Sequence, residues 1–84
     1  MVTITLHGVL NLYAPGGERS VRIELHGPTT AGQLLELMGI PLGMLSMLLI
    51  NDRRVGPEAL VSDGDLVEAF PFCAGGRGLS GAEV

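Results

Sequence analysis

Two short stretches of alternating apolar residues precede one stretch of helical spacing, and this order constrains the fold more than any other feature. Val2, Ile4 and Leu6 alternate with Thr3, Thr5 and His7, and Val21, Ile23 and Leu25 alternate with Arg22, Glu24 and His26. Period two with β-branched residues predicts half-buried strands. The intervening segment, Gly8 to Arg19, holds Asn11, Pro15, Gly16 and Gly17, which is loop chemistry. The two strands therefore form a hairpin with a long loop. Beyond Gly27-Pro28 the period changes. Ala31, Leu34, Leu35 and Met38 fall on one helical face, with Gln33 and Glu36 on the other. Thr29 or Thr30 supplies a capping hydroxyl, and Gly39 followed by Pro41 ends the helix. A helix of about ten residues is not stable alone and needs a sheet to pack on.

The apolar run from Met44 to Ile50 predicts a third strand from about Ser46 to Asn51. Arg54-Val55 reads as a short fourth strand, Pro57 to Leu60 as a single helical turn, Asp63-Gly64 as a turn and Leu66 to Phe72 as the last strand. A hairpin cannot bury its apolar face alone, whereas one helix laid across a mixed sheet solves that problem. The last strand then lies beside the first and parallel to it, with the helix in a right-handed crossover. The expected class is α+β: a β-grasp (ubiquitin-like) domain over residues 1–72, with a mixed sheet of four to five strands and one main helix. Residues 73–84 form a glycine-rich tail expected to be flexible.

Composition narrows the function. A chain of 84 residues with 46% apolar and 17% charged residues makes one small domain with a real core, not a disordered segment. With no Trp, one Tyr and two Phe, that core is aliphatic. A net charge of −4 gives no phosphate-neutralising patch, so nucleic acid is not the expected partner. All five basic residues are Arg, and the one adjacent pair, Arg53-Arg54, reads as a solvated turn. A single cysteine excludes an internal disulfide, a Cys-only zinc site and a four-cysteine iron–sulfur cluster. The N-terminus lacks the basic region of a signal peptide, and the run from Ile40 to Ile50 is too short to span a bilayer. The expectation is a cytoplasmic protein with no membrane partner, no metal and no cofactor; His7 and His26 read as surface residues.

The segment Asp63-Gly64-Asp65-Leu66-Val67-Glu68-Ala69-Phe70-Pro71-Phe72-Cys73-Ala74-Gly75-Gly76 resembles the end of the MoaD/ThiS family of sulfur carriers. In that family a Gly-Asp pair opens the last strand, a Phe-Pro step closes it and Gly-Gly ends the chain. The Leu-Leu-Glu-Leu helix and Leu49-Ile50-Asn51 before a turn are also similar, and the resemblance covers residues 1–76. It implies a carrier and not an enzyme. A ubiquitin-activating-like enzyme adenylates the carboxylate of Gly76 with ATP, and sulfur transfer gives a thiocarboxylate. The thiocarboxylate then donates sulfur in molybdopterin- or thiamine-type cofactor biosynthesis, with a cofactor-synthase large subunit as a further partner. Ala74 and Gly75 form the slender tail, and Phe70-Pro71 leans toward the molybdopterin-synthase small subunit.

The sequence departs from the family in two places. Phe72-Cys73 replaces the usual Pro-Val, and Arg77 to Val84 follow Gly76. An internal Gly76 has no carboxylate, so the carrier reading requires a processing protease. The alternatives are a ubiquitin-like protein modifier, which also needs a free Gly76, and a β-grasp binding module without tail chemistry. Gly76-Arg77-Gly78-Leu79-Ser80-Gly81 spells a dinucleotide fingerprint, but only three residues follow it, too few for the helix and second strand the motif needs. Cys73 has no His or Lys near it in sequence and reads as a bystander, the sharper alternative being a mixed disulfide or covalent link to a partner.

Parity assigns the last strand's faces. Glu68 shares a side with Leu66, Phe70 and Phe72, and a charge is not buried unpaired, so Val67 and Ala69 face the helix. Phe70 then points away from the core. Two readings of it stand side by side: Phe70 and Phe72 as a docking patch for a partner, or Phe70 covered by a loop residue such as Tyr13.

Overall fold

The computed structural model of the protein describes residues 1–72, and it is built on a five-stranded mixed sheet. Its strands are β1 (Val2–Leu6), β2 (Ser20–Ile23), β4 (Leu45–Ile50), β5 (Arg53–Val55) and β7 (Leu66–Pro71), in the spatial order β2-β1-β7-β4-β5. A separate two-stranded ribbon pairs β3 (Thr29–Thr30) with β6 (Leu60–Val61). The helix α1 spans Ala31–Leu37. First and last strands are neighbours: β1 and β7 run parallel, with Ile4 opposite Val67 and Leu6 opposite Ala69. Every other strand pair is antiparallel. This is the β-grasp expected from the element order.

Alternation decides what is buried. Val2, Ile4, Leu6, Val67 and Ala69 have no exposed surface, and Leu48 and Ile50 join them from β4. They meet Ala31, Leu34 and Leu35 of α1 in one aliphatic cluster. Each fully buried Val, Leu or Ile contributes about 1.5–3 kcal/mol, so the core is the main source of stability. The helix start is a full capping box. The Thr30 hydroxyl accepts from the Gln33 N–H at 3.1 Å, and the Gln33 side chain accepts from the Thr30 N–H at 2.9 Å. Gly39, at φ +82°, terminates α1 where a side chain would be strained. The β4–β5 hairpin turns through Asn51 and Asp52, both at positive φ. Asn51 holds the turn to the start of β7: its side-chain carbonyl accepts from the Leu66 N–H at 3.0 Å, and its amide donates to Asp65 at 2.9 Å.

The structure differs from the sequence reading at several places, and Phe72 lies just beyond the end of β7. Pro57 to Leu60 is not a helical turn. Leu60 instead enters β6, because its backbone pairs with Thr30 and fixes the entrance to α1. Leu25 lies beyond the end of β2, although it still packs on the core. The loop after β1 is not featureless: its 3-10 turns fold Leu10 and Ala14 under the end of the sheet, where both are buried. The helix has seven residues, not about ten.

Candidate functional site

The last residues of β7 are fixed from three sides. On the sheet face away from α1, the Phe70 ring stacks on His7, with centroids 4.0 Å apart and planes 5° from parallel. His7 Nε2 lies 3.0 Å from Glu68 Oε1. The Glu68 side chain keeps only 18% of its surface exposed, and the ring N–H satisfies it there. Parallel pairing of β1 with β7 continues past Leu6 and Ala69 to bring His7 beside Phe70, and the His7 N–H donates to the Ala69 carbonyl at 3.0 Å.

Pro71 is fixed next. It lies against Gly8, where an added Cβ would stand 2.7 Å from the proline Cγ. Gly8 also holds φ +59°, so both its backbone and its missing side chain serve this contact. The Gly8 carbonyl accepts from the Arg19 guanidinium at 3.1 Å. On the other flank, a register shift in β4 between Leu45 and Met47 turns the Ser46 hydroxyl toward β7. It lies 3.0 Å from the Pro71 carbonyl and 3.3 Å from that of Phe70. The Phe72 N–H donates to Met44 at 2.9 Å, and the Tyr13 hydroxyl meets the Met44 sulfur at 3.1 Å. Phe72 is 63% exposed.

These contacts show how Phe70 packs within the domain. Its direction away from the core is as expected, and Val67 and Ala69 face α1. Phe70 is half-buried, however, and the residue covering it is His7, not Tyr13. Tyr13 belongs to Met44 instead. Phe72 is the exposed aromatic of the pair. Sequence reasoning missed Gly8 and Ser46 because each acts on β7 across the sheet. The parity of His7 with Thr3 and Thr5 put it on the correct face, but the register that sets it on Phe70 is not a local signal. Cys73, Ala74, Gly75 and Gly76 lie outside the described residues. Among the described residues no cluster of three or more His, Cys, Asp or Glu could hold a metal.

The family model described as Mut7-C ubiquitin matches residues 1–75. The chain belongs to the Mut7-C ubiquitin family. Among solved structures, this Mut7-C ubiquitin domain is similar to SAMP1 from Haloferax volcanii. That match has 25% identity, covers 89% of this chain and 98% of the other, and has a TM-score of 0.66. It is similar also to a chain of the Amycolatopsis orientalis BexX/CysO complex, with 26% identity, coverage of 90% and 100%, and a TM-score of 0.66. No curated protein sequence matches it. The likeness is to small ubiquitin-like proteins of the sulfur-carrier type, at low sequence identity.

Proposed function

We propose that the protein is a ubiquitin-like sulfur carrier whose acyl-carrying residue is Gly76, exposed by proteolytic removal of residues 77–84. One observation carries the reading: β7 ends in a braced exit. Gly8, Ser46 and Met44 fix Phe70 to Phe72, and the chain leaves the sheet at an exposed Phe72. A rigid root lets a short tail enter a partner's active site at a defined angle and lowers the ordering cost of binding. Ala74, Gly75 and Gly76 carry at most one methyl group between them, which suits a narrow channel.

The chemistry belongs to a partner that adenylates acids with ATP. The Gly76 carboxylate attacks the α-phosphate, pyrophosphate leaves and an acyl-adenylate forms. A sulfur nucleophile then displaces AMP, which departs with the original carboxylate oxygen, and a thiocarboxylate remains. That thiocarboxylate is the sulfur donor for molybdopterin- or thiamine-type cofactor synthesis on a synthase large subunit. A relative recorded in the BexX/CysO complex supports a protein partner for this fold. A binding module without tail chemistry is favoured by one fact: the family match stops at residue 75, before Gly76 and the extension.

Mass spectrometry separates the two. Chains of residues 1–76 and 1–84 are incubated with ATP, a sulfur donor and the source cell's adenylating enzymes. The shorter chain gains the mass difference between sulfur and oxygen, and the longer one does not. If the shorter chain stays unmodified, the binding module takes the carrier's place.

A further inference from the structure

The loop between β1 and β2 sets its apolar residues on two sides. Its first turns, Gly8–Tyr13, are 3-10 helix, in which side chains three apart lie one above the other. Leu10 and Tyr13 form one such pair: Leu10 is buried and the Tyr13 hydroxyl meets the Met44 sulfur. Val9 and Leu12 form the other, on the outside, where they are 55% and 76% exposed. This ridge is tied to the exit of β7 at both ends. Gly8, before it, lies against Pro71, and Tyr13, after it, meets Met44, whose carbonyl accepts from the Phe72 N–H. Of the eight large apolar side chains exposed among the described residues, four are Val9, Leu12, Tyr13 and Phe72. Isolated exposed apolar residues are ordinary, but a group of them around one chain exit marks a contact surface.

The surface is also without charge. Gly8 to Gly17, Gly39 to Ile50 and Pro71-Phe72 hold no Asp, Glu, Lys or Arg, although the chain has nine acidic and five basic residues. Charges begin again at Glu18 and Arg19, and the Arg19 guanidinium is held on the carbonyls of Leu6 and Gly8. The length of the tail says what meets this surface. Only Cys73, Ala74 and Gly75 stand between Phe72 and Gly76, and four residues reach at most about 13–14 Å. A protein that works on Gly76 comes that close to Phe72, which brings the surface around its channel against the Val9–Leu12 ridge. A lipid surface is a poorer occupant, because it offers the backbone of the tail no hydrogen-bond partners, whereas a protein channel does. A second copy in a two-fold contact would cover the exits of both tails.

Resting on the carrier reading above, we propose that Val9, Leu12 and Phe72 form an uncharged apolar collar at the root of the tail. The collar docks on an apolar rim at the channel mouth of the enzyme that adenylates Gly76. It sets the affinity of that enzyme for the carrier, not the chemical step, and it does so without dependence on salt, because no ion pair is made. The collar is separate from the outer sheet face, where Arg54 stands on the same side as Glu68.

The test measures pyrophosphate release from ATP by the source cell's purified acid-adenylating enzymes, with the 1–76 chain, which holds the whole described fold, as substrate. Leu12→Glu and Val9→Glu each raise KM about tenfold and leave kcat unchanged. Leu12→Asn, which adds no charge, raises KM in the same direction, and Leu12→Met keeps the parent value. Arg54→Glu leaves KM within about twofold, and so does raising the ionic strength from about 0.05 to 0.5 M. The far-ultraviolet dichroism of each variant matches the parent, as substitution of an exposed side chain requires. An unchanged KM for Leu12→Glu, or a rise for Arg54→Glu that added salt reproduces, overturns the proposal. So does sedimentation with phosphatidylcholine vesicles, or a dimer in ultracentrifugation, that Leu12→Glu abolishes, since the occupant is then lipid or a second copy. A parent chain that no enzyme adenylates removes the carrier reading and the collar with it, whereas adenylation with the same KM in parent and Leu12→Glu removes the collar alone.

Discussion

Gly8→Ala tests whether the exit of β7 is braced. Gly8 holds φ +59°, and a Cβ there stands 2.7 Å from Pro71 Cγ and 3.3 Å from its Cδ. An L-residue in the left-handed region costs about 1–2 kcal/mol. Forcing a methyl group into an occupied contact costs about 1–3 kcal/mol more, and the proline ring cannot swing aside as a flexible chain would. Replacing glycine also stiffens the unfolded chain, which returns about 0.4–1 kcal/mol. The expected net loss is about 2–3 kcal/mol by urea denaturation. Pro71→Ala removes the obstacle and leaves only the backbone cost. The double variant Gly8→Ala/Pro71→Ala is therefore less destabilised than the sum of the two single changes by about 1 kcal/mol or more. Strict additivity, or a Gly8→Ala variant within about 0.5 kcal/mol of the parent, would falsify the steric account of Pro71.

Further outcomes follow from the same structure. Leu10→Ala, in a loop with no strand pattern but no exposed surface, costs about 2–5 kcal/mol in chemical denaturation; a near-neutral result would mean that the loop does not close the core. Thr30→Ala removes one arm of the capping box and lowers stability by about 0.5–2 kcal/mol, read from the urea midpoint. Phe70→Ala loses its stack on His7, worth about 0.5–1.5 kcal/mol beyond area, so a measurable fall in melting temperature accompanies any loss of partner binding. Phe72→Ala changes stability by less than about 0.5 kcal/mol but weakens capture by an adenylating enzyme in a pull-down of the 1–76 chain.

The fold was legible because its strongest signals are periodic and local. Alternation at Val2–Leu6 and the helical spacing from Ala31 to Met38 each name an element, and the parity of Glu68 named the inner face of β7 correctly. The misses share one physical cause. β3 and β6 are two residues each, too short to carry a period, and exist because they pair with each other. Leu10 is buried by the way its loop folds back, not by its spacing. At the exit of β7, the sequence showed an outward Phe70 but not its neighbour. His7 stacks on it through a register set by strands from opposite ends of the domain.

The parallel pairing of β1 with β7 has a consequence for synthesis. The middle of the sheet joins the first strand made to the last one, so its contacts span almost the whole domain. Such high contact order makes folding slower than in a helical protein of this size. Until Leu66 to Pro71 have left the ribosome, β1 and β4 have no shared neighbour, and the inner faces of both stay open. The braced exit therefore comes into being in the same event that completes the core. A protease or adenylating enzyme that reads this exit would engage only finished molecules, with the folding transition acting as the checkpoint.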